Sequence, residues 1–85
     1  MSNQDTLNVE HQAEQQRFVV KTQGAEAMLE YHLAGQNIDF HRTFVPPQLR
    51  GQGIAEKLVR TGLAWAKSND FNINASCSYV VKFLG

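Results

Sequence analysis

A glycine-rich turn is the first part of the sequence whose residue types and spacing could do chemistry. Arg50, Gly51 and Gly53 stand directly before an amphipathic run that begins at Ile54. The first N–H groups of a helix have no intrahelical acceptor, and the helix dipole favours negative charge there. A glycine turn that enters a helix is therefore a site for a phosphate group, and Arg50 adds a charged fork suited to phosphate oxygens. The turn predicts a local anion site.

The spacing within the turn restricts the kind of phosphate ligand. A Walker loop requires Gly-Lys-Ser/Thr after a longer glycine loop, which this sequence lacks. A dinucleotide fingerprint requires a third glycine at position 56, where the chain has Glu56. Nucleotide hydrolysis and Rossmann-type dinucleotide binding are therefore disfavoured.

Cys77 is the second candidate for chemistry, and it is the only cysteine of the sequence. It has no internal disulfide partner, so a reducing compartment is expected. A free cysteine is often a small buried hydrophobe, whereas a nucleophilic one needs its thiolate. A short helix beginning near Ser78 would favour the thiolate, and both interpretations stay open. The histidines His11, His32 and His41 show no metal-ligand spacing, and no metal site is expected.

The elements that must position these residues are strands followed by a helix. Alternation and β-branched or aromatic runs predict strands at residues 7–9, 17–22, 27–34, 38–45 and 71–75. Pro46 and Pro47 end the fourth of these because proline has no N–H for the ladder. Helical spacing predicts a long helix from Ile54, and residues 79–84 predict a short one. The fold expected is α+β: a mixed, mainly antiparallel sheet with one long central helix and a short C-terminal helix.

The turn at residues 35–37 determines which side chains face each other across the hairpin. A three-residue loop predicts the pairs Ala34–Ile38, Tyr31–His41 and Glu30–Arg42, the last of them an ion pair. Strict alternation then places Phe44 on the same face as Ile38 and Phe40, and Thr43 on the opposite face.

Length and composition indicate one small globular domain. A chain of 85 residues has too little buried surface for a second core, so residues 1–85 form a single domain, with residues 1–5 a disordered tail. A formal charge of zero gives no field that would attract nucleic acid or an anionic membrane. The sequence has neither the basic start and apolar run of a signal peptide nor about 20 consecutive apolar residues. A cytoplasmic protein is expected.

Residues 48–55, Gln-Leu-Arg-Gly-Gln-Gly-Ile-Ala, resemble the Q/R-x-x-G-x-G/A motif of the GNAT superfamily of N-acetyltransferases. In that superfamily the motif follows the fourth strand and holds the pyrophosphate of acetyl-CoA. A closer resemblance is to a minimal GNAT-like subfamily of about this length, which pairs Val-Pro-Pro-x-x-Arg-Gly-x-Gly-[Ile/Leu]-Ala with Cys-Ser-Tyr-Val. Here these segments are residues 45–55 and 77–80, and the similarity runs from Phe18 to Phe83.

The resemblance implies acetyl-CoA or CoA as the cofactor and a small acyl-CoA-binding domain. Cys77 would lie near the acetyl group, with an acetyl-Cys77 intermediate as one route to an unidentified amine acceptor. The chain has no large insertion to enclose an acceptor pocket, so a macromolecule or a freely accessible amine is expected. The backbone of Phe44 and Val45 would face the pantetheine arm. The pyrophosphate would be held by Arg50, Gly51, Gln52, Gly53, Ile54 and Ala55.

One departure from the subfamily keeps other functions open. The subfamily commonly has histidine where this chain has Arg42, and His41 is shifted by one position. Adjacent strand residues point to opposite faces, so His41 does not inherit that role. A non-catalytic CoA or acetyl-CoA sensor is therefore the alternative to an N-acetyltransferase. A structural adaptor without CoA affinity is disfavoured by Arg50 and the two glycines beside it.

Overall fold

The computed structural model describes residues 8–84, which form five strands and two α-helices. In chain order these are β1 (Val9–Gln12), β2 (Arg17–Thr22), β3 (Ala25–Ala34), β4 (Asn37–Phe44), α1 (Ile54–Ser68), β5 (Asn72–Ala75) and α2 (Ser78–Val81). Short 3-10 turns occupy Ala13–Gln15 and Pro47–Leu49. The predicted α+β architecture is confirmed. Leu7 and the tail predicted at residues 1–5 lie outside the described residues.

The sheet follows the chain, with neighbouring strands in the order β1-β2-β3-β4-β5. The first four strands are antiparallel, and β5 lies parallel to β4 after the crossover through α1. Gln23 and Gly24 both have positive φ at the β2–β3 turn, the backbone that matches a two-residue hairpin to the twist of its strands. Neither helix of the described part has the length and apolar character needed to cross a membrane.

The β3–β4 pairing contains a β-bulge that sequence reasoning did not foresee. The observed pairs are Ala34–Asn37 and Tyr31–Phe40 near the turn, so the predicted pairs Ala34–Ile38 and Tyr31–His41 are wrong. The loop is one residue shorter than expected, and His41 is the extra residue that restores the register. The predicted pair Glu30–Arg42 is confirmed, with 3.5 Å between Arg42 Nη1 and Glu30 Oε1.

The bulge also changes which face each later side chain of β4 occupies. Thr43 lies opposite the buried Leu29, and Phe44 lies opposite Met28 on the other face. The prediction that Phe44 shares a face with Phe40 is therefore wrong, as is the placement of Thr43 away from that face. Phe44 is 37% exposed, and the Arg42 guanidinium lies 5.5 Å from its ring centroid.

The core lies between α1 and one face of the sheet. Helix α1 buries residues at helical spacing, which include Leu58, Gly62 and Leu63. A Cβ at Gly62 would lie 2.9 Å from Leu29 Cδ2, so glycine permits the helix to approach the sheet this closely. The other members of the core cluster are Phe18, Val20, Ala27, Leu29, Tyr31, Ile38, Phe40, Leu49, Ile54, Val59, Ala66 and Val80.

An aromatic cluster attaches the edge strand β1 to this core. The His11 ring stacks on Phe18 with ring centroids 4.1 Å apart. The His11 and Trp65 rings are in an edge-to-face arrangement with centroids 4.5 Å apart. His11 Nε2 and the Tyr31 hydroxyl share a hydrogen bond of 2.6 Å. Burial lowers the pKa of His11, which favours the neutral ring in this apolar setting.

Candidate functional site

A cleft of about 200 Å³ lies where β4 ends and α1 begins. It contains six of the eight residues that the sequence predicts for cofactor binding: Val45, Arg50, Gly51, Gly53, Ile54 and Ala55. Leu49, Glu56 and Tyr79 complete its lining. The side chains of Phe44 and Gln52 are not part of it. The glycine turn, the end of the strand and the start of α2 therefore meet at one place.

The turn is shaped by prolines and by glycines with left-handed backbone. Pro46 ends β4, and the 3-10 turn that follows buries Leu49 completely in the core. Gly51 and Gly53 have φ of 81° and 75°, and a Cβ at either position would meet no atom within 4 Å. Glycine is therefore required here by backbone conformation and not by space.

The N-terminus of α1 presents donors without acceptors. Gly53 is the N-cap residue, and no side chain within the described residues caps the helix. The first helical hydrogen bond runs from Lys57 N to Gly53 O at 3.1 Å. The N–H groups of Ile54, Ala55 and Glu56 therefore precede the helical ladder. They contribute partial positive charge to the wall of the cleft.

Arg50 and Gln52 support the turn in different ways. Arg50 Nε donates to Val45 O at 3.0 Å, which positions the guanidinium beside the cleft and leaves its terminal N–H groups available. Gln52 Nε2 donates to Gln48 O at 3.2 Å. Gln52 Oε1 accepts from Gln23 Nε2 at 3.1 Å, which connects the turn to the β2–β3 hairpin. The side chain of Gln52 therefore supports the loop.

Strands β4 and β5 separate before β4 ends. Their last residue pair is Phe40–Ala75, after which Cys77 N donates to Phe40 O at 3.1 Å. Beyond this point, residues 41–44 of β4 continue with no strand paired on that side in the described part of the chain. The backbone edge that leads to Val45 and the cleft is therefore open. Ser76 is held at the point of separation because its N–H and hydroxyl both donate to the Asp39 carboxylate.

Cys77 lies at this separation as the residue that precedes α2. Its Sγ is 3.5 Å from Thr43 Oγ1. Burial raises the pKa of the thiol, but the Thr43 hydroxyl and the backbone N–H groups of Val80, Tyr79 and Thr43 outweigh burial and hold the pKa below its usual value. Tyr79 and Val80 belong to the single turn of α2, so the first N–H groups of this helix favour the thiolate.

Thr43 is the contact to Cys77 that sequence reasoning missed. Strict alternation placed its side chain on the wrong face, and only the bulge at His41 brings it towards Sγ. His41 itself is exposed, and no histidine is among the described groups that change the pKa of Cys77. Within residues 8–84, no group of three His, Cys, Asp or Glu side chains is arranged to hold a metal ion.

Comparisons with known proteins identify the family and similar folds. Residues 17–85 match the family model for GCN5-related N-acetyl-transferase. Protein NATD1 of Bos taurus is 33% identical over 81 residues, which cover 92% of this chain and 72% of the bovine protein. Protein NATD1 of Gallus gallus is 32% identical over 81 residues, 92% of this chain and 74% of the chicken protein. A GCN5-like protein from Staphylococcus aureus, solved by NMR, superposes with a TM-score of 0.70 at 27% identity and covers 93% of this chain and 78% of its own.

Proposed function

Because the chain belongs to the GCN5-related N-acetyltransferase family, we propose that it binds acetyl-CoA in the cleft and transfers the acetyl group to an amine. One observation carries this proposal: the left-handed glycines Gly51 and Gly53, the free N–H groups at the start of α1 and the Arg50 guanidinium all line one cleft. Backbone donors, a helix dipole and a cation are the groups that bind a diphosphate.

The open edge of β4 supports a place for the pantetheine arm of the cofactor. Residues 41–44 have backbone groups without a strand partner on the side of β5, and this edge leads from Cys77 to Val45 at the cleft. An extended arm with amide groups can pair with such an edge as an added strand does. The backbone of Phe44 and Val45 serves this purpose, and the exposed Phe44 ring on the other face does not.

The position of Cys77 supports a role beside the thioester. Direct transfer requires the amine to attack the acetyl carbonyl, so that a C–N bond forms, the C–S bond breaks and CoA leaves as a thiolate that takes up a proton. In the other route the Cys77 thiolate attacks the acetyl carbonyl first, and CoA leaves as a thiolate that takes up a proton. The amine then attacks the carbonyl of acetyl-Cys77, so that a C–N bond forms, the C–S bond to Cys77 breaks and the amine's proton passes to the released thiolate. The lowered pKa of Cys77 favours the second route because it raises the thiolate fraction at neutral pH.

Intact-mass spectrometry tests the covalent step. After incubation with acetyl-CoA and removal of free ligand, we expect native protein to gain the mass of one acetyl group and Cys77→Ala to gain none. Addition of a primary amine should discharge the adduct and yield acetylated amine. Amine acetylation that proceeds equally in native protein and Cys77→Ala would contradict the covalent route and leave direct transfer.

A CoA-binding module without turnover is the second candidate, and one observation favours it. The described groups that act on Cys77 are the Thr43 hydroxyl and the backbone N–H groups of Thr43, Tyr79 and Val80, none of which serves as a general base for the thiol. If acetyl-CoA binds but neither an adduct nor an acetylated amine forms over a panel of amines, the sensor function replaces the transferase.

We also propose that the chain acts as one domain in a reducing compartment such as the cytoplasm. The core cluster draws residues from β2, β3, β4, α1 and α2, so these elements depend on one another. The half-buried free thiol of Cys77 supports a reducing environment.

A further inference from the structure

Two cations and two aromatic rings form a layered surface beside the cleft, here called the cation–aromatic layer and consisting of Lys82, Tyr79, Phe83 and Arg60. The Tyr79 and Phe83 ring centroids are 5.3 Å apart. Lys82 Nζ lies 5.6 Å from the Tyr79 centroid, and Arg60 Cζ lies 5.6 Å from the Phe83 centroid. These contacts help to hold the two cations in place, and Arg60 is also paired with the Glu56 carboxylate.

The layer is continuous with the cleft. Tyr79 lines the cleft directly, and so does Glu56, whose Oε2 accepts from Arg60 Nε at 2.7 Å. A ligand that fills the cleft at Gly51 and Gly53 and extends past Tyr79 therefore meets Lys82 and Arg60.

The charge balance of this region differs from that around Lys21 of β2 and Arg42 of β4. Lys21 lies 4.0 Å from both Glu10 and Glu26, and Arg42 pairs with Glu30. Beside the cleft, Arg60 pairs with Glu56, the one acid that lines it, whereas neither Arg50 nor Lys82 has a carboxylate within ion-pair distance among the described residues. The formal charge of the whole chain is zero, so the positive charge here is a local excess.

We infer that the cation–aromatic layer binds a phosphomonoester group, the 3′-phosphate of CoA, and so selects CoA thioesters over thioesters that lack it. This inference rests on the proposed function because the same cleft must hold the diphosphate. A phosphomonoester carries nearly two negative charges at neutral pH, which suits two cations already fixed on aromatic rings. Preorganised cations lose little side-chain freedom when the ligand binds.

Paired titrations with CoA and 3′-dephospho-CoA test the inference, because the two ligands differ only in that phosphate. Calorimetry at one fixed salt concentration would give the ratio of their dissociation constants for native protein, Lys82→Gln and Arg60→Gln. The ratio cancels any effect of a variant on diphosphate binding, including repulsion from Glu56 once Arg60 is removed. Lys67→Gln is the matched control because it removes one exposed charge at the far end of α1.

We expect native protein and Lys67→Gln to bind CoA about tenfold more tightly than 3′-dephospho-CoA. In Lys82→Gln and in Arg60→Gln this preference should fall by about threefold, which is the size expected for the loss of one exposed hydrogen bond between charged groups. Equal affinity of native protein for both ligands would overturn the inference while the proposed function stands. Selectivity that survives in both Lys82→Gln and Arg60→Gln would also overturn it. Failure of native protein to bind either ligand would instead overturn the proposed function, and the inference with it.

Discussion

The contact between Cys77 and Thr43 is the smallest unit on which the proposed chemistry depends. A thiol in an apolar setting would be poorly ionised, and burial does act in that direction here. The Thr43 hydroxyl and three backbone N–H groups reverse the effect, so the position of one β4 side chain changes the reactivity of a cysteine 34 positions along the chain.

Thr43→Val should make Cys77 less reactive near neutral pH. The substitution keeps the shape of the side chain but removes the hydroxyl that lowers the thiol pKa. The rate of alkylation by iodoacetamide follows the thiolate, so its midpoint should move to higher pH in the variant. Thr22→Val makes the same chemical change at the end of β2 and should leave the midpoint where native protein has it. A midpoint unchanged in Thr43→Val would show that Thr43 does not tune the thiol.

Residues of the site differ in how far the sequence alone could locate them. Gly51, Gly53 and Arg50 were predictable because a glycine turn before a helix has a local physical meaning. Thr43 was not predicted for the site because its position depends on contacts between distant segments. Gln52 was assigned to the cofactor by resemblance, whereas its side chain bonds to Gln48 and Gln23.

At the scale of elements, α1 was the easiest to predict and β4 the hardest. Apolar residues at helical spacing located α1, which begins at Ile54 as expected. The bulge at His41 has no local sequence signal. It moves the side chains of Thr43 and Phe44 to the faces of the sheet opposite to those predicted. A shorter loop and one extra residue in the strand compensate each other, so the Glu30–Arg42 pair was predicted correctly by a register that is wrong near the turn.

Gly62→Ala should destabilise the protein although alanine favours a helix. The added Cβ would lie 2.9 Å from Leu29 Cδ2 and 3.1 Å from Phe40 Cε1, both in the packed core. We expect the overpacking to exceed the gain of about 1 kcal/mol in helix propensity, for a net loss of about 1 kcal/mol in the free energy of unfolding. Urea denaturation of native protein and the variant measures this difference in the free energy of unfolding.

Ala64→Gly provides the comparison for that experiment, since Ala64 is exposed on the same helix. Ala64→Gly should lower the free energy of unfolding by about 1 kcal/mol through helix propensity alone. A Gly62→Ala protein more stable than native would refute close packing of α1 against the sheet at this position.

For the molecule as a whole, the small fold concentrates its candidate site at one end. One face of the sheet packs on α1, and the ends of β4, α1 and α2 meet at the cleft. Residue patterns predicted an α+β fold and composition predicted no general charge. The local positive excess beside the cleft became visible only from the structure, in which Lys21 and Arg42 pair with carboxylates elsewhere. Net charge alone does not report such an asymmetry because it sums over the whole surface.

Calorimetric titration with acetyl-CoA of native protein, Gly53→Glu and Gly35→Glu tests the central claim most directly. Both glycines have positive φ and open space around Cβ, so the two variants carry similar backbone strain and the same added charge. Gly35 lies at the opposite end of β4 from the cleft. We predict binding by native protein and Gly35→Glu, and a loss of at least about tenfold in Gly53→Glu from repulsion of the diphosphate. Equal binding by both variants, or no binding by native protein at millimolar ligand, would contradict the account.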